Sequence, residues 1–186
     1  AGHVTAVGDE GGFAPKIKDS HEAFAILMQA IKAAGYESKM MLGIDCAASE
    51  FHKDGVYTLD GKEMSSSELV DYYAQLCQDF PIVTIEDSHS EDDWEGFVQM
   101  KKKLGAKVQL VGDDLLVTNT ERIKKAIEMD AVSSVLIKLN QIGSVSETVD
   151  AIRMAQEAGW TAVSSHRSGE TEDTFISHLA VGLRTG

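Results

Sequence analysis

Residues 82–114 contain the pattern that decides the fold, and they read IVTIEDSHSEDDWEGFVQMKKKLGAKVQLVGDD. Two apolar runs rich in β-branched residues, Ile82–Ile85 and Val108–Val111, flank an amphipathic segment that ends at Gly105. Continuous apolar runs of this length are typical of strands that are buried on both faces of a parallel sheet. Acidic residues follow each run. The stretch therefore predicts a strand, helix, strand unit with carboxylates at the carboxyl ends of its strands.

The same unit recurs on both sides of this stretch. Further strands are predicted at Met40–Ile44, Val135–Leu139 and Thr161–Val163, and Thr5–Val7 is interpreted as the end of another strand. Turn signals within residues 51–62 predict a small hairpin. Apolar residues at helical spacing predict helices between the strands, with caps or stops at Gly35, Ser65, Gly105, Thr120 and Gly159.

Two α/β folds fit this alternation, a doubly wound open sheet and a parallel β/α barrel of eight strands. The barrel is favoured, because an open sheet gathers its functional groups at one crevice whereas a barrel collects them from many strands around one axis. A complete barrel typically needs about 250 residues, so we expect an incomplete TIM-like barrel with about six of the eight units. The residues that end successive units are Glu10, Asp45, Glu86, Asp113, Lys138 and His166.

Composition excludes several classes of function. A formal net charge of −13 argues against binding to nucleic acid and to anionic membranes. No apolar run approaches the ~18 residues that a membrane helix needs. Cys46 and Cys77 lie among apolar neighbours, and neither is part of a Cys-x-x-Cys pair. Buried free thiols are typical of a reducing compartment, so we expect a cytoplasmic protein.

Three acids form the first candidate site. Asp45, Glu86 and Asp113 each follow a predicted strand, and a carboxylate that closes a buried strand is costly unless it is paired or bound to a metal. Neighbouring barrel strands would direct all three to one place, where oxygen ligands select a hard cation such as Mg²⁺. The competing interpretation is that each acid caps the following loop or helix. That role suits Asp87 and Asp114 better.

Three further segments carry groups for catalysis or binding. Lys138 could act as a general base if it is desolvated near a cation, or it could be an ordinary lysine that extends to solvent. Glu10 lies in a glycine-rich loop, where it could protonate a leaving group or belong to a simple turn. The stretch Ser164–Thr171 is dense in hydrogen-bond donors, and its Arg167 can bind a phosphate or a carboxylate. His166 could be a ligand, a proton relay or a core histidine.

Together and in this order, these motifs resemble the enolase family. The resemblance implies the carboxyl-terminal catalytic barrel domain of that family, present as a partial domain over residues 1–186. A lysine base combined with Mg²⁺ is already known for enolase-superfamily sites. The motifs that carry the resemblance are Val7–Pro15, Asp45–Phe51, Thr84–Asp87, Gly112–Asn119, Lys138–Gly143 and Ser165–Phe175.

The resemblance also implies a reaction and a role for each residue. The implied enzyme is a lyase of glycolysis that dehydrates 2-phospho-D-glycerate to phosphoenolpyruvate with Mg²⁺, as a homodimer in the full-length protein. Asp45, Glu86 and Asp113 would bind Mg²⁺. Lys138 would take the proton α to the carboxylate, and Glu10 would assist loss of the 3-hydroxyl. The substrate-binding residues would be Glu86, Asp113, Ser165, His166, Arg167 and Ser168.

The sequence departs from the family pattern in two respects. Ser88 follows Ile-Glu-Asp at the position where the family usually has proline, and His89 comes next. We also expect three family features to lie outside residues 1–186: the first barrel strand, the eighth-strand lysine that binds the substrate carboxylate, and the amino-terminal domain that closes over the substrate. The alternative function is a non-catalytic binding or surface-interaction module derived from an enolase. The stretch Ser165–Thr171 argues against acid-sugar and muconate-type relatives.

Because the lysine and the closing domain are expected to lie outside it, the 186-residue chain should have negligible dehydratase activity by itself. The measurement is phosphoenolpyruvate absorbance after 2-phosphoglycerate and Mg²⁺ are added to the purified chain. Rapid appearance of that absorbance would contradict the expectation. Under the alternative function, a protein partner would bind Lys138→Ala as well as the wild type, and Mg²⁺ would not stabilise the chain.

Overall fold

The computed structural model describes residues 2, 4–8, 10–169 and 171–185. The strands are β1 (Leu42–Asp45), β2 (His52–Lys53), β3 (Val56–Leu59), β4 (Lys62–Met64), β5 (Ile82–Glu86), β6 (Gln109–Gly112), β7 (Ser134–Ile137) and β8 (Thr161–Ser164). The helices are α1 (Ser20–Ala33), α2 (Ser66–Asp79), α3 (Trp94–Leu104), α4 (Thr120–Met129), α5 (Leu139–Ile142), α6 (Val145–Glu157) and α7 (Phe175–Leu183).

Strands β1, β5, β6, β7 and β8 form one parallel sheet in that spatial order. At least one helix lies between each pair of consecutive strands in this sheet, as the apolar pattern predicts. The predicted α/β class with a parallel sheet is therefore confirmed. The strand predicted at Val135–Leu139 ends earlier, at Ile137, because Lys138 begins the turn into α5.

Polar side chains show that this sheet is curved. Gln109 on β6 accepts a hydrogen bond from the Thr84 hydroxyl of β5 at 3.0 Å. Its Nε2 donates to the Thr161 hydroxyl of β8 at 2.6 Å, past the intervening β7. Side chains from alternate strands meet in this way in the layered interior of a β/α barrel. The curvature directs the carboxyl ends of the strands toward a shared axis.

Side-chain caps and glycines mark the helix ends. Ser65 forms the predicted capping box at the start of α2. At α4 the predicted cap was wrong: Asn119 accepts the hydrogen bonds of the first helical amides, and Thr120 is the first residue of the helix. Asparagine ranks above threonine as a cap. Gly35 and Gly159 adopt φ angles of 77° and 78° beyond α1 and α6, where a left-handed residue ends a helix.

The apolar faces of the sheet and helices pack into one core. Cys46 and Cys77 are free, as predicted, and both are half-buried. Burial raises the pKa of Cys46 to about 12, so its thiol stays protonated. Within the described ranges, no helix combines the length and apolar character needed to cross a membrane. The largest fully buried apolar side chains include Leu69, Tyr73, Ile85, Phe97, Met100, Ile123, Ile137 and Ile152.

Residues 51–62, predicted to form a hairpin, belong to a three-stranded antiparallel meander of β2, β3 and β4. Tyr57 of this meander is fully buried. Its hydroxyl donates to Asp93 at 2.7 Å and accepts from the Ser90 amide at 3.0 Å. The meander therefore anchors the loop between β5 and α3.

The amino-terminal residues depart from the predicted pattern. Thr5–Val7 lies outside the parallel sheet, and Val7 forms an isolated antiparallel bridge with Phe13. The glycine-rich turn folds this segment back on itself, with the Ala14 amide donating to the Ala6 carbonyl at 2.8 Å. The interpretation of Thr5–Val7 as a barrel strand was therefore wrong. The described part of the chain supplies five parallel strands.

Candidate active site

The carboxyl ends of the parallel strands surround a cleft of about 430 Å³. Leu136, Val163 and Ser164 contribute to its wall. The structure brings every residue that the sequence predicts for the site into this cleft, while their chemical roles stay predictions. These residues are Glu10, Asp45, Glu86, Asp113, Lys138, Ser165, His166, Arg167 and Ser168.

Strand register places three acids side by side. Asp45 ends β1 and lies opposite Glu86, which ends β5. Asp113 directly follows β6, which pairs with β5 on the other side. Burial increases from the edge strand inward, since Asp45 is exposed, Glu86 is half-buried and Asp113 is 7% exposed. Three carboxylates from neighbouring strands therefore share one edge of the sheet.

Burial and neighbouring charge disfavour the ionised forms of two of these acids, Asp45 and Glu86. Desolvation, followed by the charges of Asp45 and Asp113, raises the pKa of Glu86 to about 8. The pKa of Asp45 is also raised, by desolvation first and then by the charge of Asp113. A nearby positive charge would restore the ionised forms.

Lys138 supplies one positive charge to this edge. Its Nζ donates to Oδ2 of Asp113, and the two side chains are 15% and 9% exposed. Leu136 and Lys138 both line the cleft, whereas Ile137 between them packs in the core. This alternation is expected of a β-strand, in which side chains two residues apart share a face. Lys138 therefore points into the cleft and not outward to solvent.

Asp87 and Asp114 lie next to this ion pair. The two carboxylate oxygens of Asp87 accept hydrogen bonds from the backbone amides of Asp113 at 2.9 Å and Asp114 at 2.8 Å. Desolvation raises the pKa of Asp87 to about 7. Carboxylate oxygens of Asp87, Asp113 and Asp114 lie within 4.8 Å of one another, so this acidic cluster could hold a metal ion.

Two overlapping sets of ligands thus share Asp113. One is the predicted set on the strand ends, with Asp45 and Glu86, and the other is the tighter cluster with Asp87 and Asp114. Both sets offer carboxylate oxygens, the donors that hard divalent cations such as Mg²⁺ prefer. Among the described residues, only the cluster of Asp87, Asp113 and Asp114 brings one oxygen of each residue within 4.8 Å of the others. That cluster fits such a cation by distance as well as by donor type, whereas the strand-end set fits it by donor type.

Glu10 enters the cleft from the glycine-rich turn. The Gly8 amide donates to the Gly12 carbonyl at 2.9 Å, which closes the turn. Gly11 has a φ of 82°, a conformation that glycine adopts without strain. The turn therefore presents the exposed Glu10 at the rim of the cleft.

The loop after β8 adds hydrogen-bond donors at the end of the sheet opposite β1. The Ser165 amide donates to the Ile137 carbonyl at 2.9 Å, so Ser165 continues the pairing of β7 and β8 beside Lys138. Arg167 donates through Nη1 to the Asn140 side chain at 3.0 Å. A guanidinium has five N–H donors, so others remain for a phosphate or carboxylate.

Sequence reasoning did not identify three residues that contact the site. Asn140 and Gln141 lie in α5, directly beyond Lys138, and bind Arg167 and Asp113. Thr118 is fully buried and binds the Lys138 amide. Neutral amides and hydroxyls are common in loops, so residue type gave little signal. The available signal was the position of Asn140 and Gln141 just after a strand-end lysine.

A curved parallel β/α sheet whose acids, lysine and arginine gather at the carboxyl ends of its strands is the arrangement of a TIM-barrel enzyme domain. Along residues 1–186, the chain matches the family model for the enolase C-terminal TIM barrel domain. The chain therefore belongs to the enolase family. This match confirms the family to which the sequence motifs pointed.

Ser88 and His89, which directly follow Asp87, are both buried. His89 is 1% exposed. Its Nε2 lies 3.2 Å from the Ser66 carbonyl, and its Nδ1 lies 3.0 Å from the Ser88 hydroxyl. Because a carbonyl only accepts, Nε2 carries the proton and Nδ1 accepts from Ser88. Burial lowers the pKa of His89, which is therefore held neutral.

Acidification should destabilise the fold through His89. The folded state lowers its pKa, so the unfolded chain binds the proton more readily. This contribution to stability is complete above the unfolded pKa of about 6.5 and declines as pH falls below it. Relative to His89→Gln, the wild type should lose at most about 1.4 kcal/mol per pH unit in its free energy of unfolding.

Urea unfolding at a series of pH values measures this difference. His178→Gln, at an exposed position on α7, is the matched control and should show the same pH dependence as the wild type. The expectation fails if His89→Gln and the wild type lose stability in parallel as the pH falls.

Proposed function

We propose that this domain carries catalytic groups for the Mg²⁺-dependent dehydration of 2-phospho-D-glycerate to phosphoenolpyruvate, the reaction of a glycolytic lyase. The observation that carries the proposal is a single cleft that contains strand-end carboxylates, Lys138, Glu10 and Arg167. Membership of the enolase family supports the same reaction.

The reaction requires loss of a proton from C2 and of the hydroxyl from C3. In the proposed sequence, the Lys138 ammonium first releases a proton to solvent, and its neutral Nζ then takes the C2 proton. The electron pair left at C2 forms the C2–C3 double bond as the C3–O bond breaks. Glu10 gives its proton to the departing oxygen, which leaves as water. Lys138 ends protonated and Glu10 ends ionised, so protons and charge balance.

The substrate is an anion that must enter an acidic cleft. Arg167 is the proposed partner of its phosphate, and Ser165, His166 and Ser168 add hydrogen-bonding groups at the same rim. A bound Mg²⁺ would supply the positive charge that stabilises negative charge developing on the substrate carboxylate.

Of the two acidic sets, we propose that Asp45, Glu86 and Asp113 hold the metal. Asp87 is the poorer ligand because each of its oxygens already accepts a hydrogen bond from a backbone amide, which leaves fewer lone pairs for a metal. Its contacts fix the backbone of Asp113 instead. Asp113 then has two roles, because it accepts a hydrogen bond from Lys138 and also belongs to the proposed metal-binding set.

Calorimetric binding of 2-phosphoglycerate to the chain, with and without Mg²⁺, tests this function without requiring turnover. We expect binding that depends on Mg²⁺ and weakens by more than tenfold in Arg167→Ala, because a charged partner of the phosphate is lost. The control Arg153→Ala, on an exposed face of α6, should bind as the wild type does.

The same titration distinguishes the two metal sets. Asp113→Asn should abolish the Mg²⁺ dependence under either assignment, Asp45→Asn only under the proposed one, and Asp114→Asn only under the other. The proposed function is contradicted if Arg167→Ala and Arg153→Ala bind 2-phosphoglycerate equally well and Mg²⁺ has no effect on that binding. This result would favour a non-catalytic module.

A further inference from the structure

Thr118 occupies a strained position behind the candidate site. Its φ is 56°, and that of the preceding Val117 is 44°, so two consecutive β-branched residues adopt the left-handed conformation. Such residues are uncommon there, and they persist only where surrounding contacts hold them. Thr118 is also fully buried. The contacts of its hydroxyl show what this position holds in place.

The Thr118 hydroxyl connects two parts of the segment that follows β7. It accepts a hydrogen bond from the Lys138 amide at 2.9 Å. It lies 3.1 Å from Oε1 of Gln141 and 3.5 Å from the Leu136 carbonyl. A hydroxyl has one proton to donate, and the nearer Gln141 oxygen is the better acceptor. Thr118 therefore sets which end of the Gln141 amide faces it.

The other end of that amide faces the ion pair. Nε2 of Gln141 donates to Oδ1 of Asp113 at 3.3 Å, while Nζ of Lys138 donates to Oδ2 of the same carboxylate. The contacts form a closed ring from the Lys138 amide through Thr118, Gln141 and Asp113 to the Lys138 ammonium. Both oxygens of Asp113 thus have a fixed donor within this ring.

We infer that Thr118 is a positioning residue for Asp113 and acts through Gln141. Among the described residues, its hydroxyl makes no hydrogen bond to the proposed substrate-binding residues or to Asp45 and Glu86. Its effect is to orient the Asp113 carboxylate between Lys138 and the proposed metal. The inference rests on the proposed function for what the orientation achieves, but the orientation itself can be measured without metal or substrate.

A purely structural role for Thr118 makes a different prediction. If Thr118 serves only to satisfy the buried Lys138 amide, its loss destabilises the fold and leaves the Asp113 carboxylate unchanged. If it acts through Gln141, the loss of either residue changes Asp113 in the same way. Thr118→Val removes the hydroxyl at nearly constant shape, Thr118→Ser retains the hydroxyl, and Gln141→Met removes the amide at similar length.

The first measurement is the ¹³Cγ resonance of Asp113 in the metal-free full chain. We expect it to shift in Thr118→Val and in Gln141→Met, and to remain at the wild-type position in Thr118→Ser. An unchanged resonance in Thr118→Val would overturn the inference, whatever happens to the melting temperature.

The second measurement is a double-mutant cycle on Mn²⁺ affinity. Thr118→Val should weaken binding by roughly three- to tenfold, the effect of one lost hydrogen bond. In the Gln141→Met background the same substitution should have no further effect. An equal loss in both backgrounds would overturn the inference. If the wild type fails to bind Mn²⁺, the proposed function fails, and the metal-free resonance still decides the role of Thr118.

Discussion

Asp113 makes the contacts on which the rest of the site depends. Its carboxylate receives Lys138 on one oxygen and Gln141 on the other, and its backbone amide binds the buried Asp87. Three strands of the parallel sheet, β5, β6 and β7, therefore meet at one residue. Asp113 is nearly inaccessible to water. Water therefore screens these contacts poorly, and each of them is stronger than it would be at the surface.

The parallel register explains why the charges gather. Parallel strands end at the same edge, so an acid at the end of each strand places like charges side by side. Desolvation first, and this repulsion second, raise the pKa of Glu86. Two contacts hold the acids in place against this repulsion. Buried Tyr57 binds the loop after Glu86, and the Asp87 carboxylate accepts a hydrogen bond from the Asp113 amide. Holding these charges in fixed positions lowers the stability of the fold, as is common at functional sites.

The sequence predicted the parts of this structure that depend on local pattern. Apolar runs located the five parallel strands, and the position of Asp45, Glu86 and Asp113 after those runs located the edge where they meet. The prediction of a barrel strand at Thr5–Val7 was wrong because a pattern of three residues does not show whether a neighbouring strand pairs with them. The contacts of Asp87, Thr118 and Gln141 join residues 18 to 28 positions apart, so they depend on register and loop geometry that no single motif encodes.

The most direct test of the account is the position of a bound metal. Anomalous diffraction from crystals of the chain soaked in Mn²⁺ locates the ion independently of any assumed ligand. The account predicts one peak at about 2.1 Å from oxygens of Asp45, Glu86 and Asp113. A peak coordinated by Asp87, Asp113 and Asp114, with Asp45 and Glu86 left out, would contradict it.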